Sequence, residues 1–123
     1  MTASKSKQDL RRELVTQRRS LSPEWVAEQS AALTDRILQW TIFGQAKSVM
    51  LYLAMADEPQ MDGLISLALQ QGKSVSVPAL TAKYGYMEAA LITSFEDLVI
   101  GKLGLRMPDL SRAQIADPAT IDL

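Results

Sequence analysis

The chain of 123 residues contains no cysteine and no histidine. Without cysteine there is no disulfide framework and no thiolate nucleophile. Without histidine, the commonest general base near neutral pH and the commonest transition-metal ligand are both missing. Aromatic residues make up only 6%, and they are not interleaved with basic ones as a nucleic-acid surface would require. No apolar run approaches the roughly 20 residues that a bilayer demands. The polar, basic N-terminus has no apolar segment behind it, so a signal peptide is not expected. Neither standard phosphate loop, G-x-x-x-x-G-K-[ST] or G-x-G-x-x-G, occurs. The stretch Gly101-Lys102-Leu103-Gly104 is too short to replace one, and no cluster with metal-ligand spacing is visible.

What is present reads as one globular domain. Hydrophobic residues make up 47% and charged residues 22%, within the range of folded rather than disordered chains. The net charge of -1 conceals an asymmetry. Residues 1–20 carry six bases against two acids, a net of +4, and the rest carry seven bases against twelve acids, a net of -5. A basic arm on an acidic body suits an anionic ligand. Composition fits a cytoplasmic protein with no membrane and no nucleic-acid partner.

Periodicity places the elements. Residues 4–20 read as a helix on which Leu10, Leu14 and Leu21 share one stripe, with Lys7, Arg11 and Arg18 beside it at about 100° per residue. The leucines form an edge for docking and the cations a rim next to it. Ser22-Pro23-Glu24 then caps and starts a second helix. Its face of Val26, Ser30, Leu33, Ile37 and Trp40 carries it to Phe43-Gly44. Trp25 and Trp40 are assigned to packing. Residues 49–55 are continuously apolar, as in a strand covered on both faces. A short amphipathic helix containing Leu64 and Ile65 follows and stops at Gly72. The alternating segment Ser74–Pro78 is a strand ended by its proline. Strand, helix and strand in this order predict a parallel βαβ unit. Residues 86–92 predict another strand, 94–98 a helical turn, and 101–108 a loop or short strand. Ile121-Asp122-Leu123 resembles the opening of one strand more.

Ligands of open parallel sheets bind outside the carboxyl ends of strands. Leu53-Ala54-Met55-Ala56-Asp57-Glu58 is one such end, and Val77-Pro78-Ala79 is another on the same edge. Glu58 can accept hydrogen bonds from ligand N–H groups, and Leu53 and Met55 can contact a flat ring. Asp57 or Glu58 can equally cap the helix that follows, or the two together can share Mg2+. For a polyphosphate the best candidates are Lys7 and Arg11, one helical turn apart.

These residues resemble the 5-formyltetrahydrofolate cyclo-ligase family, also called 5,10-methenyltetrahydrofolate synthetases, over its N-terminal two thirds. KQDLRRELVTQRRSLSPE is similar to the family's opening K-x-x-x-R helix and serine-capped second helix. VMLYLAMADEPQMDGLI is similar to its first strand with the acid that meets the folate, and GKSVSVPAL and YMEAALI to its next two strands. The resemblance implies a ligase that uses ATP and Mg2+ to turn 5-formyltetrahydrofolate into 5,10-methenyltetrahydrofolate. The formyl oxygen is phosphorylated, N10 closes on the activated carbon, and phosphate leaves. It also implies that Lys7 and Arg11 bind ATP, that Leu53 and Glu58 line the substrate pocket, and that Met87 lies near the pterin or its side chain. Such chemistry needs positioning and charge neutralisation more than a protein nucleophile.

The match has departures. Met107 stands where the family usually carries an acid, and Leu103 where it carries an aromatic. The family's later P-G-x-x-F-D turn and basic R-L-G-x-G-x-G-Y-Y-D loop do not occur before Leu123. The expected fold is therefore α/β: a three-layer α/β/α arrangement on a mostly parallel sheet, with two N-terminal helices and the C-terminal part of the fold absent. Residues 1–123 form a single incomplete domain with little turnover of its own. The alternative is a non-catalytic fragment that binds folate or self-associates through an open sheet edge. The cyclo-ligase reading requires the cationic rim of the first helix to face the strand end where Leu53 and Glu58 emerge.

Overall fold

Local signals set the helix ends. The computed structural model describes residues 4–101 and 104–123; Lys102 and Leu103 lie outside them. Helix α1 (Lys7–Arg19) opens with a capping box in which Ser6 accepts from the Asp9 N–H and Asp9 accepts from the Ser6 N–H. Helix α2 (Pro23–Gln39) starts as the sequence requires: Ser22 Oγ accepts from the Trp25 N–H, and Pro23 occupies the first turn. The helix does not reach Phe43-Gly44. Trp40 turns extended, with φ -75° and ψ 122°, and a short α3 (Thr41–Gln45) resumes after it. That break swings Phe43 into the core, where it is 1% exposed beneath the Lys73 ammonium. Trp25 and Trp40 are not core residues, being 48% and 47% exposed.

Strand β1 (Ser48–Met50) is followed by α4 (Asp62–Gln70) and β2 (Ser74–Leu80). Gly72, with φ 80°, turns the chain out of α4. The Lys73 N–H then bonds the Ala68 carbonyl, and the Gly72 N–H the Leu69 carbonyl, a Schellman closure that a left-handed glycine permits. β1 and β2 pair in parallel, Ser48 beside Ser74 and Met50 beside Ser76. This is the βαβ unit the sequence predicts.

The strand expected over residues 49–55 is cut short, and Pro78 is the reason. The parallel ladder runs from the Ser74 N–H to the Lys47 carbonyl and on to the Leu51 N–H, which bonds the Ser76 carbonyl. Its next rung would be donated by the amide of residue 78 to Leu51. Proline has no N–H, so the chain leaves the sheet at that point. Pro78 does not end its own strand. β2 continues to Leu80, because its other edge pairs with β3 (Met87–Ile92).

That second pairing is antiparallel, with Val77 beside Ala90 and Leu80 beside Met87. The connector over residues 81–86 is too short for a parallel crossover. It closes a hairpin through Thr81, Tyr86 and the positive-φ Gly85. The sheet is therefore mixed and small, not mostly parallel. Among the helices, α4 packs on β2, and α2 packs on α3 and α4. A 3-10 turn at Phe95–Asp97 leads into a separate ribbon of β4 (Leu98–Ile100) and β5 (Arg106–Pro108).

Both outer edges of the three-stranded sheet carry chain. Gln114 and Ala116 hydrogen-bond along β3. Along β1, the Leu123 N–H bonds Ser48 and the Leu123 carbonyl accepts from Met50, the parallel geometry of a starting strand. The open edge expected for self-association is thus covered at these positions. The main core joins Phe43, Val49, Leu64, Ile65, Val75, Val77 and Ile92. A smaller cluster of Ala79, Ala90 and Met107 continues it, so Met107 is a packing residue. Among the described residues no helix is long and apolar enough to cross a membrane.

Candidate functional site

The early end of β1 makes a site possible. Residues 52–60, released from the ladder after Leu51, form a loop outside the carboxyl ends of β1 and β2, anchored by several hydrogen bonds. Tyr52 donates its hydroxyl proton to the Pro59 carbonyl over 3.0 Å. Partial burial, and secondarily the Glu58 charge, raise the Tyr52 pKa above its ordinary value. Glu58 folds back, its Oε1 accepting from the Met55 N–H at 2.8 Å. Gln60 donates from Nε2 to the carbonyls of Met55 and Glu58, at 2.7 and 2.9 Å. The Gln60 N–H reaches the Ser30 hydroxyl of α2 at 2.7 Å.

A second clamp lies on the other side. Arg106 of β5 grips Asp62, the first residue of α4, through two bonds of 2.9 and 3.0 Å. Its Nη2 also lies 3.5 Å from the Ala54 carbonyl. Arg106 thus ties the ribbon to the loop and to the start of α4.

Helix α1 meets this loop through Arg18, whose Nε donates to Asp57 Oδ2 at 3.1 Å. α1 buries no residue: Leu10 and Leu14 remain 45% and 61% exposed, so the leucine edge does not dock as expected. Of the α1 cations, Arg18 reaches the loop beyond the strand end. Arg18 belongs to the same stripe as Lys7 and Arg11 and borders two concavities. One is a groove along α1 with Arg11, Leu14, Val15 and Leu21. The other is a cavity of about 300 Å³ between α1, α2 and the loop, lined by Leu21, Trp25, Leu33, Asp57 and Glu58. Lys7 is eleven residues before Arg18, about 16 Å along the helix. Among the described residues no ion pair ties Lys7 or Arg11, so their charge is available to an anion.

The remaining candidates are distributed as follows. Leu53 is half-buried against the main core, and Met55 is 52% exposed on the loop. Met87, 59% exposed, is the first residue of β3 opposite Leu80. The hairpin puts it on the same sheet edge as the loop, but no described contact joins the two. Asp57 and Glu58 do not form a metal pair. One faces Arg18 and the other a backbone N–H, and no described group of three acids stands close enough to hold an ion. Sequence reasoning passed over Arg18 as a site residue, assigned Ser30 only to the packing face of the second helix, and singled out neither Gln60 nor Arg106. Arg18 gave a signal in its place in the cationic stripe, and Ser30 in its place on the inward face of α2.

Comparison with known proteins bears on the fold and the family. A family model described as the 5-formyltetrahydrofolate cyclo-ligase family matches residues 3–123. A 5-formyltetrahydrofolate cyclo-ligase of Mus musculus is 28% identical over 100 residues, covering 81% of this chain and 49% of its own length. A probable 5-formyltetrahydrofolate cyclo-ligase of Caenorhabditis elegans is 29% identical over 106 residues, covering 84% of this chain and 52% of its own length. The chain spans about half the length of these curated relatives. The NMR structure of Aquifex aeolicus 5,10-methenyltetrahydrofolate synthetase has the same fold, with a TM-score of 0.79 at 21% identity over 94% of this chain and 57% of that one. Since the family model covers nearly the whole sequence, the chain belongs to the 5-formyltetrahydrofolate cyclo-ligase family.

Proposed function

We propose that this chain carries the folate loop and part of the nucleotide grip of an ATP-dependent 5-formyltetrahydrofolate cyclo-ligase, the enzyme that forms 5,10-methenyltetrahydrofolate. One observation supports the reading: Arg18, a member of the cationic stripe of α1, contacts Asp57 on the loop that also carries Leu53, Met55 and Glu58. Lys7 and Arg11 hold the phosphates, and Glu58 accepts from N–H groups of the pterin. Met87 lies on the same edge and contacts the substrate's flat part. Phosphoryl transfer to the formyl oxygen requires the two ligands to be held together with their charge offset. A cationic helix edge beside a carboxylate loop supplies that placement without histidine or cysteine. The use of Mg2+ together with ATP belongs to the same proposal, the ion offsetting phosphate charge when bound.

Titration of the 123-residue chain with 5-formyltetrahydrofolate and with ATP, followed by Trp25 fluorescence or calorimetry, tests the reading. Both ligands are expected to bind. Replacing Lys7 and Arg11 together by alanine is expected to weaken ATP about 10-fold or more while leaving the folate constant unchanged. Turnover is followed by the absorbance of 5,10-methenyltetrahydrofolate. A chain that binds neither ligand at millimolar concentration refutes the reading.

A further inference from the structure

We infer that Gln60 and Ser30 are positioning residues for Glu58, and that Glu58 meets its ligand through Oε2 alone. The inference rests on the folate reading of Glu58 given above. Residues 55–58 form a tight turn closed twice, by the Glu58 N–H to the Met55 carbonyl at 3.1 Å and by the Met55 N–H to Glu58 Oε1 at 2.8 Å. Oε1 is therefore engaged with the protein, and among the described residues Oε2 has no donor. Arg18 reaches the turn's side chain at Asp57, and Gln60 holds its backbone from outside. Gln60 Nε2 bridges the carbonyls of Met55 and Glu58, the two ends of the turn. Both partners are acceptors, so the amide nitrogen must face them and the orientation is fixed.

Gln60 is itself anchored. Its N–H donates to Ser30 Oγ at 2.7 Å, and Ser30 is 5% exposed within α2. A buried hydroxyl that lost this partner would be left unsatisfied. The order of dependence runs from Ser30 to Gln60 to the turn and then to the direction of the Glu58 carboxylate. A single free oxygen at the end of such a chain suits one ligand N–H, and its direction is set before the ligand arrives.

Two measurements test this on the full chain. Amide exchange at Met55 and Glu58, read by NMR without ligand, reports the turn. Dissociation constants for 5-formyltetrahydrofolate and for ATP report its use. Gln60→Met keeps the length and removes both donors. It is expected to speed exchange at Met55, weaken 5-formyltetrahydrofolate roughly 10-fold, and leave ATP within about twofold. Gln60→Lys restores a donor to the carbonyls and is expected to recover most of the affinity. Ser30→Ala is expected to move both readouts in the same direction as Gln60→Met. Should Gln60→Met lose its fold, Gln60→Glu, which sets a carboxylate against two carbonyls, tests the same point with the same expectation. Unchanged Met55 exchange overturns the inference. So does faster exchange with unaltered folate affinity, or an equal loss of both ligands. A wild-type chain that binds ATP but no folate defeats the reading of Glu58 instead, while the exchange measurement still judges the turn.

Discussion

Arg18 illustrates how much one side chain decides in this molecule. It lies in a stripe of cations that the sequence shows plainly, yet its partner, Asp57, is 39 residues away. The pair is partly exposed, at 45% and 23% of the two side chains, so solvent screens it. A double-mutant cycle with Arg18→Ala and Asp57→Ala is expected to give a coupling of about 0.2–1 kcal/mol in urea unfolding. The larger effect falls on α1, which buries no residue. In Arg18→Ala the amides of the last turn of α1 are expected to exchange faster, while those of α4 keep their rate. Retained protection of α1 would show that other contacts hold the helix. The acids Asp57 and Glu58 were legible as a pair. Their separate partners, a guanidinium and a backbone N–H, were not, because adjacent residues on an irregular loop can face different ways.

Elements are bounded by two kinds of signal, local and cross-strand. Gly72 is local. Its φ of 80° belongs to the left-handed region, and no atom lies within 4 Å of the position a Cβ would take. Gly72→Ala is therefore expected to cost about 1–2 kcal/mol through backbone strain alone, read as a lower unfolding midpoint with unchanged ligand constants. Pro78 is the cross-strand case. It sits within β2 but stops β1, since the missing N–H would have served Leu51. Pro78→Val restores that donor, and the new amide is expected to be protected from exchange as β1 lengthens toward residue 52. The same change draws Leu53 toward the sheet, so folate binding is expected to weaken. An unprotected amide at position 78 would count against this account of why the loop exists.

At the scale of the whole molecule, the chain's end is fastened to its middle. Asp122 Oδ2 accepts from the Lys47 and Ser48 N–H groups at 2.8 and 3.1 Å. These bonds, with smaller help from the Lys47 and Lys73 charges, hold its pKa below the ordinary 3.8. Asp97 and Asp109 are lowered in the same way by nearby N–H and hydroxyl donors. A carboxyl whose folded pKa lies below its unfolded one stabilises the fold fully above the unfolded value and loses that effect as pH falls through the folded one. Denaturant midpoints are thus expected to be flat above about pH 5 and to fall below pH 4. Asp122→Ala is expected to lower the midpoint at pH 7 and to flatten part of the acid decline. An unchanged acid profile would show that the tail is held by its backbone bonds alone.

The sequence by itself determined the helix starts at Ser22-Pro23, the stop at Gly72, the βαβ order and the family, because caps, periodicity and motif order are encoded within a few neighbouring residues. It also placed Lys7 and Arg11 on one helix edge and Glu58 in the segment that follows β1. Tertiary structure decided the antiparallel β3, the shortened β1, the exposed leucines of α1, and the contacts of Arg18, Gln60 and Arg106. Each of these depends on register and distance between segments far apart in the chain. A side chain's donors and acceptors acquire a direction only when another segment arrives to meet them.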